Sequence, residues 1–276
     1  MIRQTALNAA AESFDAYIDD LAAAVAYPTP SQPAPDRTRQ LAYLTDFIAP
    51  RLAELGFVTR IAENSVAPGC PFLIGERHEG DDLPTVLTYG HGDTVPGMEG
   101  RWEANRDPYT LTPDGDRLYG RGTADNKGQH LLNIWALKGA LAARGSLGFN
   151  LRIVIEMGEE AGSAGLHELF LAERETLSAD VLIASDGPRQ DPTRPMIFMG
   201  ARGALNFELR VDLREGGHHS GNWGGLLADP GVILAHALAS ITDAAGAIKV
   251  PEWRPDSLAL ALPRGRGAPC AGARGR

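Results

Sequence analysis

Apolar side chains recur every three to four residues in five segments of the chain, which is the spacing of one face of a helix. Asp36 precedes the second segment as an N-cap, and Gly56 and Gly145 follow the second and third segments, where glycine commonly ends a helix. The pattern predicts helices over residues 8–26, 36–55, 126–144, 164–176 and 230–245.

Short runs of β-branched and aromatic residues lie between these helices and are bounded by glycine, proline or polar residues. They predict strands over residues 57–61, 71–75, 84–89, 150–156 and 180–184. Strands that alternate with helices indicate an α/β fold with a mostly parallel sheet flanked by helices. Residues 97–119 interrupt the alternation as a long polar loop, and loops of this length in compact domains are usually functional or disordered.

The pattern changes after Pro195. Residues 204–213 alternate apolar and polar positions and predict a strand with one solvated face. We therefore divide the chain into a larger α/β domain over residues 1–199 and the beginning of a smaller α+β domain over residues 200–260.

Residues 261–276 are predicted to be an aberrant and disordered tail. The last fifteen residues contain four arginines, four glycines and no acid, without periodicity or an apolar face. This composition is typical of a disordered tail or of GC-rich coding sequence read out of frame. The absence of acidic residues, in a chain otherwise rich in them, favours the second explanation.

The formal net charge of −9 argues against a nucleic-acid partner, because no basic stripe offsets the acidic residues. No stretch approaches the roughly 20 apolar residues that a membrane-spanning helix needs. Cys70 and Cys270 lie far apart and form no ligand pair, so a reducing compartment is the simple interpretation. Together these features predict a soluble, cytoplasmic protein that binds neither nucleic acid nor membrane.

Side chains able to bind a cation lie at the ends of three predicted strands and just before one predicted helix. Because the carboxyl ends of parallel strands meet at one edge of a sheet, we expect these side chains to converge there. They are His91, Asp93, Asp125, Glu159, Glu160 and Asp186.

Each of these features also has a structural explanation when it is taken alone. A histidine in a glycine-flanked turn is often simply hydrogen-bonded, and adjacent glutamates commonly begin a solvated helix. An aspartate before a helix, such as Asp125, is often an N-cap. These explanations leave open why every strand end in this half of the chain carries such a group.

Imidazole and carboxylates without thiolates suit Zn²⁺, Mn²⁺ or Co²⁺, and zinc is the commonest choice for hydrolysis. Asp93 is near enough in sequence to accept the second ring N–H of His91 and fix its tautomer. Of the adjacent Glu159 and Glu160, one can bind metal while the other acts as a general base toward water. The chain contains no GxSxG nucleophile motif and no GxxxxGK[ST] phosphate-binding loop.

Four motifs in order resemble those of the two-zinc metallopeptidases and amidohydrolases: YGHGDTVPG, GRGTADNKGQ, EMGEEAGSAGL and SDG. That family includes carnosine dipeptidases, aminoacylases, acetylornithine deacetylase, succinyl-diaminopimelate desuccinylase and glutamate carboxypeptidase. The segment GGHHSGNWGG is most similar to the lid motif of the dipeptidase branch, and the match covers roughly residues 10–255. The resemblance implies a zinc-exopeptidase-like catalytic domain followed by the beginning of a lid domain.

The resemblance also implies a role for each matched residue. His91 and Asp186 would each bind one zinc ion, and Asp125 would bridge both. Glu160 would bind the second zinc, and Glu159 would be the general base.

Further expectations follow from the same motifs. Asp93 would orient His91, and the peptide bond between Asp125 and Asn126 would be cis. His219 matches the lid histidine that, in the dimers of this family, reaches the partner's active site and stabilises the oxyanion. The resemblance implies a homodimer formed through the lid, while the sequence itself leaves the oligomeric state open.

The family pattern is not complete in this chain. In the family, the segment that follows the lid supplies the last histidine ligand of the second zinc, whereas here no histidine follows His236. His236 itself is expected to pack on the apolar face of a helix. The second zinc would then have only Asp125 and Glu160 as protein ligands.

Three functional hypotheses remain open at this point. The first is a zinc-dependent hydrolase of dipeptides or N-acyl amino acids, acting by attack of a metal-bridging hydroxide with Glu159 as general base. The second is a truncated remnant of such an enzyme that binds metal with little or no activity. The third is a non-enzymatic α/β domain that binds a structural cation.

Overall fold

A computed structural model describes residues 13–187, 193–194, 196–197 and 206–253. The chain divides into two compact units, residues 1–196 and residues 197–276. The first twelve residues of the chain and the predicted tail over residues 261–276 lie outside the described part.

The described helices of the first unit are α1 (Phe14–Val25), α2 (Arg37–Ala42), α3 (Ala49–Glu54), α4 (Lys127–Arg144) and α5 (Leu166–Ala172). A π-helical turn, Tyr43–Ile48, joins α2 to α3, so the predicted helix over residues 36–55 is continuous but not uniform. The Asp36 carboxylate accepts the backbone N–H groups of Thr38 and Arg39, which confirms the predicted N-cap. Gly145 ends α4 in the left-handed conformation, as predicted.

The strands in the described part of this unit are β1 (Val58–Ala62), β2 (Phe72–Arg77), β3 (Thr85–His91), β4 (Thr112–Asp114), β5 (Arg117–Tyr119), β6 (Asn150–Glu156) and β7 (Val181–Ala184). Five of them form one sheet in the order β1-β2-β6-β3-β7. The β3 strand is parallel to β6 on one side and to β7 on the other. The β1–β2 and β2–β6 pairs are antiparallel.

The predicted α/β class is confirmed, although the described sheet is mixed rather than mostly parallel. The reason is the connection between β1 and β2, which contains no crossover helix and therefore returns the chain in the opposite direction. The predicted loop over residues 97–119 also differs, because it contains a short 3₁₀ turn, Glu103–Asn105, and the β4–β5 hairpin.

The main core lies between the sheet and the helices α1 to α4. Its largest fully buried side chains include Tyr43, Leu52, Leu73, Leu131 and Met157. A smaller cluster around Phe72, Ile74 and Leu169 packs between the sheet and α5. The β3 and β6 strands therefore lie in the middle of the unit, and the predicted residues His91, Asp93, Glu159 and Glu160 lie at or just after their carboxyl ends.

In the second unit, the described helices are α6 (Ser220–Trp223) and α7 (Pro230–Ile241). Asp229 caps α7 by accepting the N–H groups of Gly231 and Val232. The helix ends before the predicted residue 245 because Thr242 is extended and bridges to Ile248. His236 is exposed on α7, so the expectation that it packs on the apolar face of this helix is wrong for the described part of this unit.

The predicted strand over residues 204–213 is wrong for its described part. Residues 206–213 form no ladder with any other described segment. Alternation alone does not make a strand, because the backbone groups of a strand need a partner with which to hydrogen-bond. Among the described residues, no helix is both long enough and apolar enough to cross a membrane.

Candidate metal centre

The parallel pairing of β6, β3 and β7 brings three strand ends to one edge of the sheet. His91, the last residue of β3, is in register with Glu156, the last residue of β6. Asp186 follows β7, the other neighbour of β3. This is the convergence that the sequence predicts, and it arises because parallel strands end on the same side.

His91 faces three carboxylates. Its Nε2 atom lies 3.0 Å from Oδ1 of Asp125, 3.7 Å from Oδ2 of Asp186 and 3.7 Å from Oε2 of Glu159. One donor atom from each of His91, Asp125 and Asp186 lies within 4.8 Å of the other two, and no other group of this kind occurs in the described part of the chain. One imidazole among carboxylates is a donor set that suits zinc or another divalent ion.

Asp93 is fully buried and contacts both sides of the site. The Nδ1 atom of His91 lies 3.1 Å from the backbone oxygen of Asp93 and 3.3 Å from its Oδ1. The Asp93 carboxylate also accepts the backbone N–H groups of Glu159 and Glu160, each at 3.1 Å. Asp93 therefore orients the imidazole and holds the short 3₁₀ turn Glu159–Ala161 against it.

The start of α4 contributes Asp125 and its neighbour Asn126. The peptide bond between them is cis, as the resemblance implies. The Asp125 side chain is 66 % exposed, so it lies at the open side of the site. The Asn126 amide was not predicted as part of the site. It donates from Nδ2 to the backbone oxygen of Ser185 at 2.7 Å, and its Oδ1 accepts the backbone N–H of His91 at 3.3 Å.

The charges at this site are unbalanced in the absence of a cation. Burial lowers the pKa of His91, but the hydrogen bond and charge of Asp93, with the charges of Asp186 and Glu159, outweigh it and raise the pKa to about 9. Burial raises the pKa of Glu159, Glu160 and Asp186, and neighbouring carboxylates raise it further. A divalent cation would stabilise these carboxylates in their charged form.

Glu156 is a buried acid beside the site that was not predicted from the sequence. Glu156 accepts hydrogen bonds from the Tyr89 hydroxyl and, at 3.0 Å, from the Ser163 hydroxyl. Burial raises the pKa of Glu156 to about 7, although both hydrogen bonds lower it. Because Ser163 follows the turn that carries Glu159, this contact fixes the far end of the turn.

The structure does not bring all predicted residues into one cluster. Glu160 is outside the group formed by His91, Asp125 and Asp186, and its backbone oxygen accepts a hydrogen bond from the Gln32 amide. His219 belongs to the second unit, where its Nδ1 accepts the Gly221 N–H at 3.1 Å.

The two glycines that flank His91 allow close packing beside the site. A Cβ atom on Gly90 would lie 2.5 Å from Cβ of His130, and one on Gly92 would lie 2.5 Å from Cε1 of Tyr43. Real Cβ atoms essentially never approach other atoms so closely. The YGHGD motif therefore requires glycine because α4 and the π-helical turn approach β3 from behind.

Gly90→Ala is expected to lower the free energy of unfolding by about 1–3 kcal/mol, because the added methyl group overpacks the contact with His130. Urea denaturation followed by circular dichroism measures the change. Gly139→Ala is the matched control, since Gly139 lies within α4 with no atom near its missing Cβ. The control is expected to be neutral or to stabilise the protein by up to about 1 kcal/mol. Equal effects of the two variants would contradict the packing explanation.

Comparison with known proteins relates the whole arrangement to peptidases. The family model described as "Peptidase family M20/M25/M40" matches residues 87–253. The chain is 33 % identical over 231 residues to the Beta-Ala-His dipeptidase of Mus musculus, which covers 80 % of this chain and 46 % of that protein. It is 35 % identical over 199 residues to the cysteinylglycine-S-conjugate dipeptidase of Corynebacterium striatum, and this match covers 71 % of this chain and 42 % of that protein.

Solved structures give the same relationship. The crystal structure of human carnosine dipeptidase 1 superposes with a TM-score of 0.66 at 29 % identity and covers 91 % of this chain and 55 % of that one. The chain thus spans about half the length of the curated relatives it matches.

Proposed function

Since the chain belongs to peptidase family M20/M25/M40, we propose that it is a metal-dependent hydrolase of peptide or amide bonds in small substrates such as dipeptides or N-acyl amino acids. The relatives described as dipeptidases support this substrate class. The observation that carries the proposal is the approach of Asp125, Asp186 and Glu159 to the single nitrogen Nε2 of His91.

We propose zinc as the metal, with Co²⁺ or Mn²⁺ as replacements, held by His91, Asp125 and Asp186. The fit rests on the donor set, because one imidazole and two carboxylates leave a net negative site that only a cation balances. Glu160 would contribute to a second ion shared through Asp125. A bound divalent ion supplies Lewis-acid polarisation of the scissile carbonyl and lowers the pKa of water.

The remaining steps depend on side chains of the protein, namely Glu159 and Asp93. The Glu159 carboxylate would accept a proton from the attacking water and pass it to the leaving nitrogen. Its raised pKa, caused first by burial and then by the nearby carboxylates, suits this role, since a general base works best near the ambient pH. Asp93 would hold Glu159 and His91 in place through the hydrogen bonds described above.

His219 would stabilise the oxyanion from the lid of a partner subunit, in a homodimer formed through the second unit. Its Nδ1 already accepts the Gly221 N–H, which leaves Nε2 to carry the proton that such a role needs. The cross-subunit role is tested by mixing His219→Ala with Glu159→Gln protein. Recovery of activity in the mixture is expected if each active site uses a histidine from the other subunit.

A different function for the same residues is binding of a structural cation without catalysis. Purified full-length chain loaded with zinc is assayed for hydrolysis of β-Ala-His and Cys-Gly, with and without a chelator. Chelator-sensitive and zinc-restored hydrolysis supports the peptidase. Zinc binding without hydrolysis of any dipeptide or N-acyl amino acid would support a cation-binding domain or an inactive remnant instead.

Removing the metal is expected to lower the melting temperature of the first unit, because a ligand that binds only the folded state stabilises it. At a free zinc concentration of 100 times the dissociation constant, the stabilisation is about 2.7 kcal/mol. Differential scanning fluorimetry across a zinc titration measures it. A melting temperature that is independent of zinc would contradict a site in the folded protein.

A further inference from the structure

The Asn126 amide occupies a buried position between two strand ends, and its orientation is fixed by backbone groups. The backbone N–H of His91 can only donate, so the Asn126 atom that lies 3.3 Å from it must be the oxygen. The Ser185 carbonyl can only accept, so the atom that meets it at 2.7 Å must be the NH₂ group. A rotated amide would lose both contacts.

This orientation determines the protonation of His130, which lies one helical turn further along α4. The Nδ1 atom of His130 is 3.2 Å from Oδ1 of Asn126, and an oxygen acceptor requires a proton on Nδ1. The Nε2 atom lies 2.7 Å from the Tyr43 hydroxyl. In the neutral ring Nε2 is then an acceptor, and the Tyr43 hydroxyl must be the donor.

The burial of these side chains makes each contact consequential. Asn126 and Tyr43 are fully buried and His130 is 2 % exposed, so water does not replace a lost partner. Burial, with the charges of His91 and Lys127, lowers the pKa of His130 to about 3, which keeps the ring neutral at ordinary pH. The close packing permitted by Gly90 and Gly92 brings His130 and Tyr43 to these positions.

We propose that Tyr43, His130 and Asn126 form a positioning chain that fixes the spacing between His91 and the Ser185–Asp186 segment. The amide oxygen of Asn126 sets the tautomer of His130, and the Tyr43 hydroxyl donates to Nε2 of His130 and holds the ring against that amide. The same amide joins the end of β3 to the end of β7. The inference rests on the proposed metal site, because the spacing matters functionally only if His91 and Asp186 share an ion. None of the three side chains is proposed to touch substrate.

The tautomer of His130 is tested first, in the metal-free full chain. Nitrogen-15 NMR of histidine-labelled protein at neutral pH distinguishes Nδ1–H from Nε2–H, and the His130→Gln variant identifies the signal. We expect the Nδ1–H tautomer in the wild type. An Nε2–H tautomer or a charged ring would overturn the proposal whether or not the protein binds metal.

The effect on the metal site is tested with Tyr43→Phe, which removes one hydroxyl and keeps the packed ring. Loss of an outer hydrogen-bond partner typically weakens metal affinity about 10–100-fold, and we expect a loss near the lower end of that range. Zinc competition titration measures the affinity. The absorption spectrum of the cobalt-loaded protein is expected to change as well, because it reports ligand geometry.

Two control variants separate positioning from simple destabilisation. Tyr27→Phe removes a hydroxyl from the ring that packs edge-on against Tyr43, and it is expected to leave zinc affinity within about twofold. Ile134→Ala removes buried volume from α4 and is expected to lower the melting temperature without changing zinc affinity.

The outcomes distinguish this proposal from the proposed function. If the wild type binds no zinc while His130 has the Nδ1–H tautomer, the proposed metal site is wrong. The hydrogen bonds of Tyr43, His130 and Asn126 would then be correct, but they would position no metal ligands. If the wild type binds zinc and Tyr43→Phe binds it equally well, the positioning role alone is wrong. A loss of zinc affinity in Ile134→Ala as large as that in Tyr43→Phe would also overturn it, since stability would then explain both.

Discussion

Glu159→Gln is expected to lower kcat for dipeptide hydrolysis by about 10²- to 10⁴-fold, the usual contribution of a general base. The amide keeps the shape of the side chain but accepts no proton at neutral pH. Zinc affinity is expected to change little, because the proposed role of Glu159 is to accept a proton from water and not to bind the metal. KM is likewise expected to stay within a few-fold.

The measurement is a comparison of kcat, KM and bound zinc between the wild type, Glu159→Gln and Glu160→Gln. Both glutamates occupy the same 3₁₀ turn, and both backbone N–H groups donate to Asp93, so the two variants are closely matched. Glu160→Gln is expected to reduce bound zinc, whereas Glu159→Gln is not. If Glu159→Gln keeps wild-type kcat, or if the two variants exchange these effects, the assigned roles are wrong.

Asp125→Asn is expected to weaken zinc binding on the order of 10³-fold, more than the 10–100-fold typical of losing an outer-shell partner. The reason is that Asp125 is the carboxylate nearest to His91, at 3.0 Å, and that the proposed site depends on it for both ions. The stability of the metal-free protein is expected to change little, because the Asp125 side chain is mostly exposed. Zinc titration and thermal melting measure the two effects separately.

Asp81→Asn is the matched control for this variant. Asp81 is an exposed aspartate whose Oδ1 also lies 3.0 Å from a histidine Nε2, that of His78, but it belongs to no group of three candidate ligands in the described chain. Its replacement is expected to leave zinc affinity and hydrolysis unchanged. Equal losses of zinc affinity in the two variants would contradict the assignment of the zinc site to Asp125.

The elements of the first unit were predictable because their signals are local. The strand over residues 150–156 has the predicted bounds, and the helix over residues 126–144 begins one residue late and ends at the predicted Gly145. Both are defined by periodicity and by a turn residue within a few positions. The strand predicted over residues 204–213 was wrong in its described part because a strand also requires a partner, which its own sequence does not specify.

The candidate metal ligands were predictable from the sequence, but the residues that position them were not. His91, Asp125 and Asp186 were predicted from strand ends and motifs, and the structure brings them together. Asn126 and His130 gave a weaker signal, since a polar pair four residues apart at the start of a helix is usually solvated. Their polar partners lie in other elements, so sequence spacing did not reveal them.

Side-chain periodicity and turn residues act over a few positions, and they were sufficient to predict the α/β class, most of the helices and strands, and the histidine and carboxylates at strand ends. The strand order β1-β2-β6-β3-β7 depends on contacts between distant parts of the chain, so the pairing of the strand ends became visible only in the folded protein. The same is true of the side chains that position the site, such as Tyr43, which contacts His130 across 87 residues of sequence. Such contacts depend on how separate elements pack. The need for glycine on both sides of His91 is likewise explained by packing, because His130 and Tyr43 leave no room for a Cβ atom at Gly90 and Gly92.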